Sequence, residues 1–252
     1  MANATAARHA LAVLRLLATQ AEPLPAATIA RSLGLPRSST YHLLTVLRDA
    51  GFVTHLADDR RWGLGVAAFE LGSAYSRQAP LQRIARPALV RLVDATSHSA
   101  HLAVLHGRDV LYVIEERAPG RPSLVTDVGV RLPALVTASG MAMLAALPPR
   151  QLRALFSSRD DFEQRRGYGP ATLTALRSEI SQVRRRGYAV ERDSVTPGFG
   201  SVAAAILDHN ALPVAGLAVT YPHAEVSEPE RDTIVARVRS TADDLTRRLG
   251  GR

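Results

Sequence analysis

The chain has 252 residues, 46% of them hydrophobic, and a formal net charge of +8. No stretch approaches the roughly 18 consecutive apolar residues of a membrane helix, and the first residues lack the basic, apolar, small-residue order of a signal peptide. Cysteine is absent, which excludes disulfides and thiolate metal sites. A soluble cytoplasmic protein of one large or two smaller domains, with no membrane partner, is expected.

All 31 basic residues are arginine, the pattern a GC-rich genome gives. Residues 1–77 hold 8 Arg against 5 acids and residues 78–252 hold 23 against 18, so the charge divides as +3 and +5. A charge spread in this way permits nucleic-acid binding without marking a basic tail.

Ala10, Val13, Leu14 and Leu17 recur at helical spacing in residues 6–19, and Glu22-Pro23 interrupts that helix. Pro25 suits the first turn of a second helix ending at Gly34. Pro36 opens a third, to Ala50, which Gly51 closes. Phe52–Leu56 and Arg61–Leu64 read as strands around the tip Ala57-Asp58-Asp59-Arg60. Helix, turn, helix, then hairpin is the order of a winged helix-turn-helix, a unit that places one helix in a DNA major groove. Residues 66–77 form a further helical pattern, expected to be a connector.

Beyond it the spacing predicts a helix over Leu81–Ala95 and a hairpin of His101–Leu105 with Val110–Glu115. A strand is expected over Pro122–Val128, and helices over Thr137–Leu147, Arg150–Phe156 and Pro170–Arg186. Strands are expected over Ala189–Asp193, Ser201–Leu207 and Val214–Tyr221, and a closing helix over Glu228–Leu249. Helices mixed with mostly antiparallel strands indicate an α+β domain.

On helix 36–50, drawn at 100° per residue, Leu43, Leu44 and Leu47 form the buried stripe and Thr40 falls inside it. Ser38, Tyr41, His42 and Thr45 lie on or beside the opposite face. They are the candidate base-edge readers, since hydroxyls donate or accept and apolar parts meet a thymine methyl. Arg37 and Ser39 near the helix start suit phosphate. Arg60 and Arg61 of the hairpin suit the adjacent minor groove. The alternatives are an ordinary packing helix with a polar face and a solvated turn.

These residues resemble the IclR family of bacterial transcriptional regulators over about residues 8–245. The resemblance is carried by Leu35-Pro36-Arg37-Ser38-Ser39-Thr40, Leu43-Leu44, Gly51-Phe52-Val53 and Arg61-Trp62-Gly63-Leu64-Gly65. In the second part it is carried by His101-Leu102-Ala103-Val104, Val128-Gly129-Val130-Arg131-Leu132-Pro133, Thr137-Ala138-Ser139-Gly140, Arg186-Gly187-Tyr188-Ala189 and Ser201-Val202-Ala203-Ala204. It implies a winged helix-turn-helix domain (1–65), a linker helix (66–77) and a GAF-like effector-binding and oligomerisation domain (78–252). It also implies homodimers or homotetramers on palindromic double-stranded operator DNA. The expected function is transcription regulation, repression more than activation, under a small organic acid or aromatic metabolite.

By the same resemblance the effector pocket is expected from the Pro133–Gly140 segment, including Leu135, Thr137, Ala138, Ser139 and Gly140, with Glu191, Ser201 and Ala218. The chain departs from the family at Met141, where a lysine is usual, at Asp193-Ser194, where an acidic pair is usual, and at His98, often a glutamate. Helix-start N–H groups with Thr137, Ser139 and Ser201 suit a carboxylate, and Glu191 suits a ligand that also offers hydroxyls or an amine.

An enzyme would need a catalytic constellation. Ser139 lacks the first glycine of a nucleophile elbow. His98 and His101 fall on opposite faces of a strand, and Gly198–Ala203 fits a dinucleotide fingerprint without its strand and helix context. No cofactor and no metal are expected. The rival functions are a DNA binder without ligand control and a small-molecule hydrolase.

Overall fold

The computed structural model describes residues 2–78, 80–122, 124–162, 165 and 167–251. The chain divides into two compact units, one ending at residue 79 and the other starting at residue 80.

The first unit runs α1 (Ala2–Ala18), β1 (Leu24–Pro25), α2 (Ala26–Leu33), α3 (Arg37–Asp49), β2 (Val53–Leu56), β3 (Arg61–Leu64) and α4 (Val66–Gln78). Val13 and Leu17 of α1, Ile29 of α2, and Leu44 and Leu47 of α3 close one core with Val53 and Trp62 of the hairpin. The α2–α3 turn is set by Gly34 in the left-handed region (φ 63), with the Leu35 N–H on the Ala30 carbonyl (2.9 Å). This is the glycine stop that a helix-turn-helix requires. Strands order as β1-β3-β2, all antiparallel. Pro25 therefore lies in an edge strand opposite Arg61, outside the α2 turn where its sequence position put it. A residue without an N–H is accommodated at a sheet edge. Gly65 is needed because a Cβ there would lie 2.3 Å from the Gly51 carbonyl oxygen.

The second unit runs α5 (Pro80–Thr96), β4 (Ser99–His106), β5 (Asp109–Glu116), β6 (Arg131–Pro133), α6 (Ala138–Ala146), α7 (Pro149–Leu155), α8 (Leu173–Arg186), β7 (Ala189–Arg192), β8 (Phe199–Leu207), β9 (Pro213–Pro222) and α9 (Glu228–Arg248). Its single sheet has the order β6-β5-β4-β9-β8-β7, antiparallel throughout. Strand alternation gives it two apolar faces. One packs Leu102, Val202, Leu217 and Val219 against Leu89 and Leu92 of α5 and Val238 and Leu245 of α9. The other packs the small Ala103, Ala203 and Ala218 against α6, backed by Leu176, Ile180 and Val183 of α8. Residues 138–145 of α6 are all buried, as an all-round apolar helix between two layers must be.

Among the described residues of Pro122–Val128 the expected strand does not form. Residue 123 lies outside the described residues, and 125–126 and 128–129 form turns. Asp127 turns its carboxylate onto the Val128 N–H (2.7 Å) and Gly129 has φ 89, so local side-chain bonding and a left-handed glycine replace the ladder. The edge strand forms instead at β6, where Leu132 faces Val110.

Candidate functional site

Two polar clusters stand out, one in each unit. The first is the outer face of α3. Thr40 and Leu44 are fully buried and Leu47 nearly so. Thr40 returns its hydroxyl to the Pro36 carbonyl (3.1 Å) and is part of the fold. Arg37, Ser38, Ser39, Tyr41 and His42 are exposed and Thr45 half-buried. Tyr41 and Val46 are each more than half exposed, large surfaces to leave in water on a helix whose other side is a core. No side chain caps the start of α3, so its first N–H groups point outward beside Arg37 and Ser39, an arrangement suited to an anion.

The two wing arginines differ. Arg60 is exposed at the tip with φ 51. The Arg61 guanidinium folds back onto the Pro23 carbonyl (3.2 Å) and the Glu22 carboxylate (3.4 Å). It ties the wing to the α1–α2 connection, whereas Arg60 is the one presented outward.

The second cluster lies where α6 meets the sheet. Its floor is made of neighbouring rungs of four strands: Glu191 opposite Ser201, Ser201 opposite Thr220, and Ala218 opposite His101. Gly216 lets α6 come this close to the sheet, and Gly140 lets the segment leading into α6 fold tightly against it. A Cβ on Gly216 would lie 2.7 Å from the Ser139 carbonyl oxygen, and one on Gly140 would lie 2.2 Å from that of Ala134. Thr137 caps α6, its hydroxyl accepting the Gly140 N–H (3.0 Å). That leaves the Ala138 and Ser139 N–H groups at the open start of the helix.

Together these elements enclose a cavity lined by His101, Tyr112, Thr126, Thr137, Ala138, Ser139, Glu191, Val195, Ser201, Ala218 and Thr220. The space open to the centre of a water-sized sphere is about 10 Å³, room for roughly one small molecule of that size. Two of its buried polar atoms, Nε2 of His101 and Oγ of Ser139, have no hydrogen-bond partner. Buried polar atoms are normally satisfied, so two orphans on one cavity lining leave hydrogen-bonding capacity there for a water or for a polar group of a ligand.

Glu191 is held in a hydrogen-bond network. Oε1 lies 2.7 Å from the Ser201 hydroxyl, which is 2.9 Å from that of Thr220. Oε2 lies 2.5 Å from the Ser194 hydroxyl, which also reaches the Val136 carbonyl (2.8 Å). A serine carries one hydroxyl proton. Ser194 therefore has a single proton to share between Glu191 Oε2 and the Val136 carbonyl oxygen, both of which accept from it. Burial pushes the Glu191 carboxyl above the usual carboxylate range, partly offset by the hydrogen bonds from Ser194 and Ser201. His101 is lowered to about 4, first by burial and then by the Arg117 charge, so its imidazole is neutral near pH 7. Burial also raises Tyr112.

Of the residues expected in a pocket, the structure brings Thr137, Ala138, Ser139, Glu191, Ser201 and Ala218 to this cavity. Leu135 and Gly140 stand apart. Leu135 faces a separate cleft of about 400 Å³, where Arg108 is already paired with Asp161 (2.8 Å), and Gly140 serves the close seating of α6. Sequence reasoning missed His101, Tyr112, Thr126, Val195 and Thr220. Thr220 was within reach, being two residues along the strand from Ala218 and so on the same face. His98 packs on the opposite face, 6.0 Å from the Tyr221 ring. No group of three or more His, Asp or Glu is placed to hold a metal among the described residues.

A winged helix-turn-helix with an exposed polar helix face, followed in the chain by an α+β unit with a polar cavity, defines a DNA-binding regulator class. Two family models match the chain: the IclR helix-turn-helix domain over residues 6–57 and the bacterial transcriptional regulator IclR C-terminal domain over residues 73–247. The chain belongs to the IclR family of transcriptional regulators. It is 27% identical to the acetate operon repressor of Salmonella typhimurium over 228 residues, 88% of this chain and 82% of that protein. It is 26% identical to the transcriptional repressor AllR of Escherichia coli over 251 residues, 98% of this chain and 91% of that protein. An IclR homologue from Microbacterium hydrocarbonoxydans, solved with 4-hydroxybenzoate, shares the fold with a TM-score of 0.82 at 22% identity, covering 97% of this chain and 98% of that one.

Proposed function

We propose that this chain is a cytoplasmic, non-enzymatic repressor that binds a palindromic operator as a homodimer or homotetramer and whose DNA affinity is set by a small molecule held in the α6 cavity. The observation that carries this is the pair of orphaned polar atoms, His101 Nε2 and Ser139 Oγ, facing one enclosed space, in a chain whose other polar face is a recognition helix. The relatives named as repressors support the sign of regulation, and the 4-hydroxybenzoate complex supports a ligand. On α3, Ser38, Tyr41, His42 and Thr45 read base edges and Arg37 and Ser39 hold phosphates, while Arg60 of the wing enters the adjacent minor groove. Domain limits of 1–65, 66–77 and 78–252 belong to the same proposal.

A ligand larger than water must displace the turn carrying Ser194 and Val195 or the one carrying Thr126. DNA affinity then changes only as far as the ligand prefers one arrangement over the other. The test is a gel-shift titration on the DNA immediately upstream of the chain's own coding region, with and without small polar metabolites. A sequence-specific shift altered by one compound is the expected result. Equal affinity for operator and scrambled DNA at every salt concentration would sink the proposal.

A further inference from the structure

The α6 cavity has room for about one water, so anything larger enters only where a wall gives way. The walls are held unequally. The strands of the floor are paired into one sheet, and α6 is seated on them at Gly216. The turn carrying Thr126 is stitched to β5 by the Gly129 N–H on the Tyr112 carbonyl (2.9 Å) and the Tyr112 N–H on that of Val130 (3.1 Å). The remaining wall is the loop 193–198 between β7 and β8, which buries Ser194 and Val195. From inside, the Ser194 hydroxyl ties it to Glu191 and to the Val136 carbonyl.

From outside, the loop is closed by three side chains. Oδ1 of Asp193 accepts the Gly198 N–H (2.7 Å) and lies 2.9 Å from Nε2 of His223. One carboxylate thus joins both ends of the loop to the residue that follows β9. Arg192 Nη2 lies 3.1 Å from the other ring nitrogen, Nδ1. A guanidinium only donates, so Nδ1 accepts and the ring proton sits on Nε2, aimed at Asp193. Bonds to an ionised acceptor are the stronger kind. The His223 and Asp193 side chains are nonetheless 21% and 31% exposed, so water competes for this clasp as it cannot for the buried ladders. Local opening draws on segments tied by solvent-reachable bonds. Asp193 also has a left-handed backbone (φ 63), which glycine adopts without strain.

We infer that the loop 193–198 is the entry gate of the cavity and that His223, clasped to Asp193, is the positioning residue that holds it shut. This rests on the ligand-controlled reading of the same cavity and adds the wall through which the ligand passes.

The experiment labels the full chain near pH 7 with diethyl pyrocarbonate, which acylates unprotonated imidazole and is far larger than the cavity. His101 is neutral there, with Nδ1 beside the Thr126 hydroxyl (3.3 Å) and Nε2 buried and unpaired. Its acylation rate, mapped by peptide mass spectrometry, reads the opening of a wall. His98, buried on the opposite face of the sheet, reads general loosening. Asp193→Gly and His223→Ala should each raise the His101 rate about fivefold, the worth of one hydrogen bond. Both should quicken hydrogen exchange over 193–199 and leave the His98 rate unmoved. His223→Gln, which still offers a donor to Asp193, should return the His101 rate to within about twofold of the unsubstituted chain. An unmoved His101 rate in both loss variants overturns the inference. So does an equal rise at His98, a His223→Gln rate no lower than that of His223→Ala, or exchange that quickens over 124–129 in place of 193–199. Neither readout involves DNA or effector, so gel shifts on the same samples keep the two failures apart. Specific DNA binding with an unmoved His101 rate removes the gate and leaves the regulator standing, whereas no specific binding by the unsubstituted chain removes the regulator reading itself.

Discussion

The outer face of α3 and the α6 cavity are both polar, and they are built in opposite ways. On α3 the polar groups come from nine consecutive residues, 37–45, of which all but the buried Thr40 and Leu44 and the half-buried Leu43 and Thr45 stand in solvent. In the cavity they come from β4, β9, β8, β7 and the start of α6, and they are buried and held by one another. A surface of the first kind tolerates change one side chain at a time, whereas one of the second kind depends on its neighbours for protonation state and position.

The sharpest way to break this comparison is to unseat α6. Gly140→Ala puts a Cβ 2.2 Å from the Ala134 carbonyl oxygen. It should cost about 3 kcal/mol by forced overpacking, read as a lowered midpoint in urea, while Ser38→Ala on α3 should leave the midpoint within about 0.5 kcal/mol. Equal midpoints would show that α6 is not held as closely as described.

A change of similar size should appear in acid. His101 folds with a pKa lowered from 6.5 to about 4, so the unfolded chain binds its proton first. The stability from keeping this imidazole neutral is complete above pH 6.5 and is lost as pH falls toward 4. At about 1.4 kcal/mol per pKa unit the loss approaches roughly 3 kcal/mol. His101→Gln should flatten that limb of the stability curve. Glu191 works in the other direction: its raised pKa gives stability that is complete below the ordinary carboxylate pKa and lost as pH rises through the folded value. Urea titrations between pH 4 and 8 on His101→Gln and Glu191→Gln separate the limbs, and an unchanged acid limb in His101→Gln would put the titrating group elsewhere.

On α3 the expected effects are smaller and of two kinds. His42→Ala or Tyr41→Ala should shift base preference by about 1–3 kcal/mol at one position. Arg37→Ala should weaken operator and scrambled DNA alike and lower the salt slope by about 1. Binding curves on both DNAs at several salt concentrations check this, and selectivity unmoved by His42 and Tyr41 would remove them as readers. The smallest effect sharpens the wing. Arg60→Ala should reduce DNA binding, whereas Arg61→Ala should act on stability, by less than about 1 kcal/mol, because its partially exposed pair with Glu22 is screened by solvent.

The sequence by itself determined the helix-turn-helix. Gly34, Pro36 and Gly51 place the turns, and the 3.6-residue period over Thr40, Leu44 and Leu47 assigns the inner and outer faces of α3 without any distant contact. It also determined that the second unit mixes helices with antiparallel strands, because alternation along 99–106, 199–207 and 213–222 is local. It did not determine the missing strand at 122–128, where the Asp127 side chain and Gly129 outcompete the ladder, nor the separate roles of Arg60 and Arg61, which depend on Glu22 and Pro23 almost forty residues away. The cavity was legible only in part. Resemblance pointed to Ser139, Glu191, Ser201 and Ala218, but His101, Tyr112 and Thr126 reach it only through the pairing of β4 with β5 and β9 and the turn above them. Registers between strands a hundred residues apart, and the burial that follows from them, set which hydroxyl serves Glu191 and which imidazole stays neutral. No local pattern in the chain encodes either, because desolvation and hydrogen-bond satisfaction belong to the assembled core.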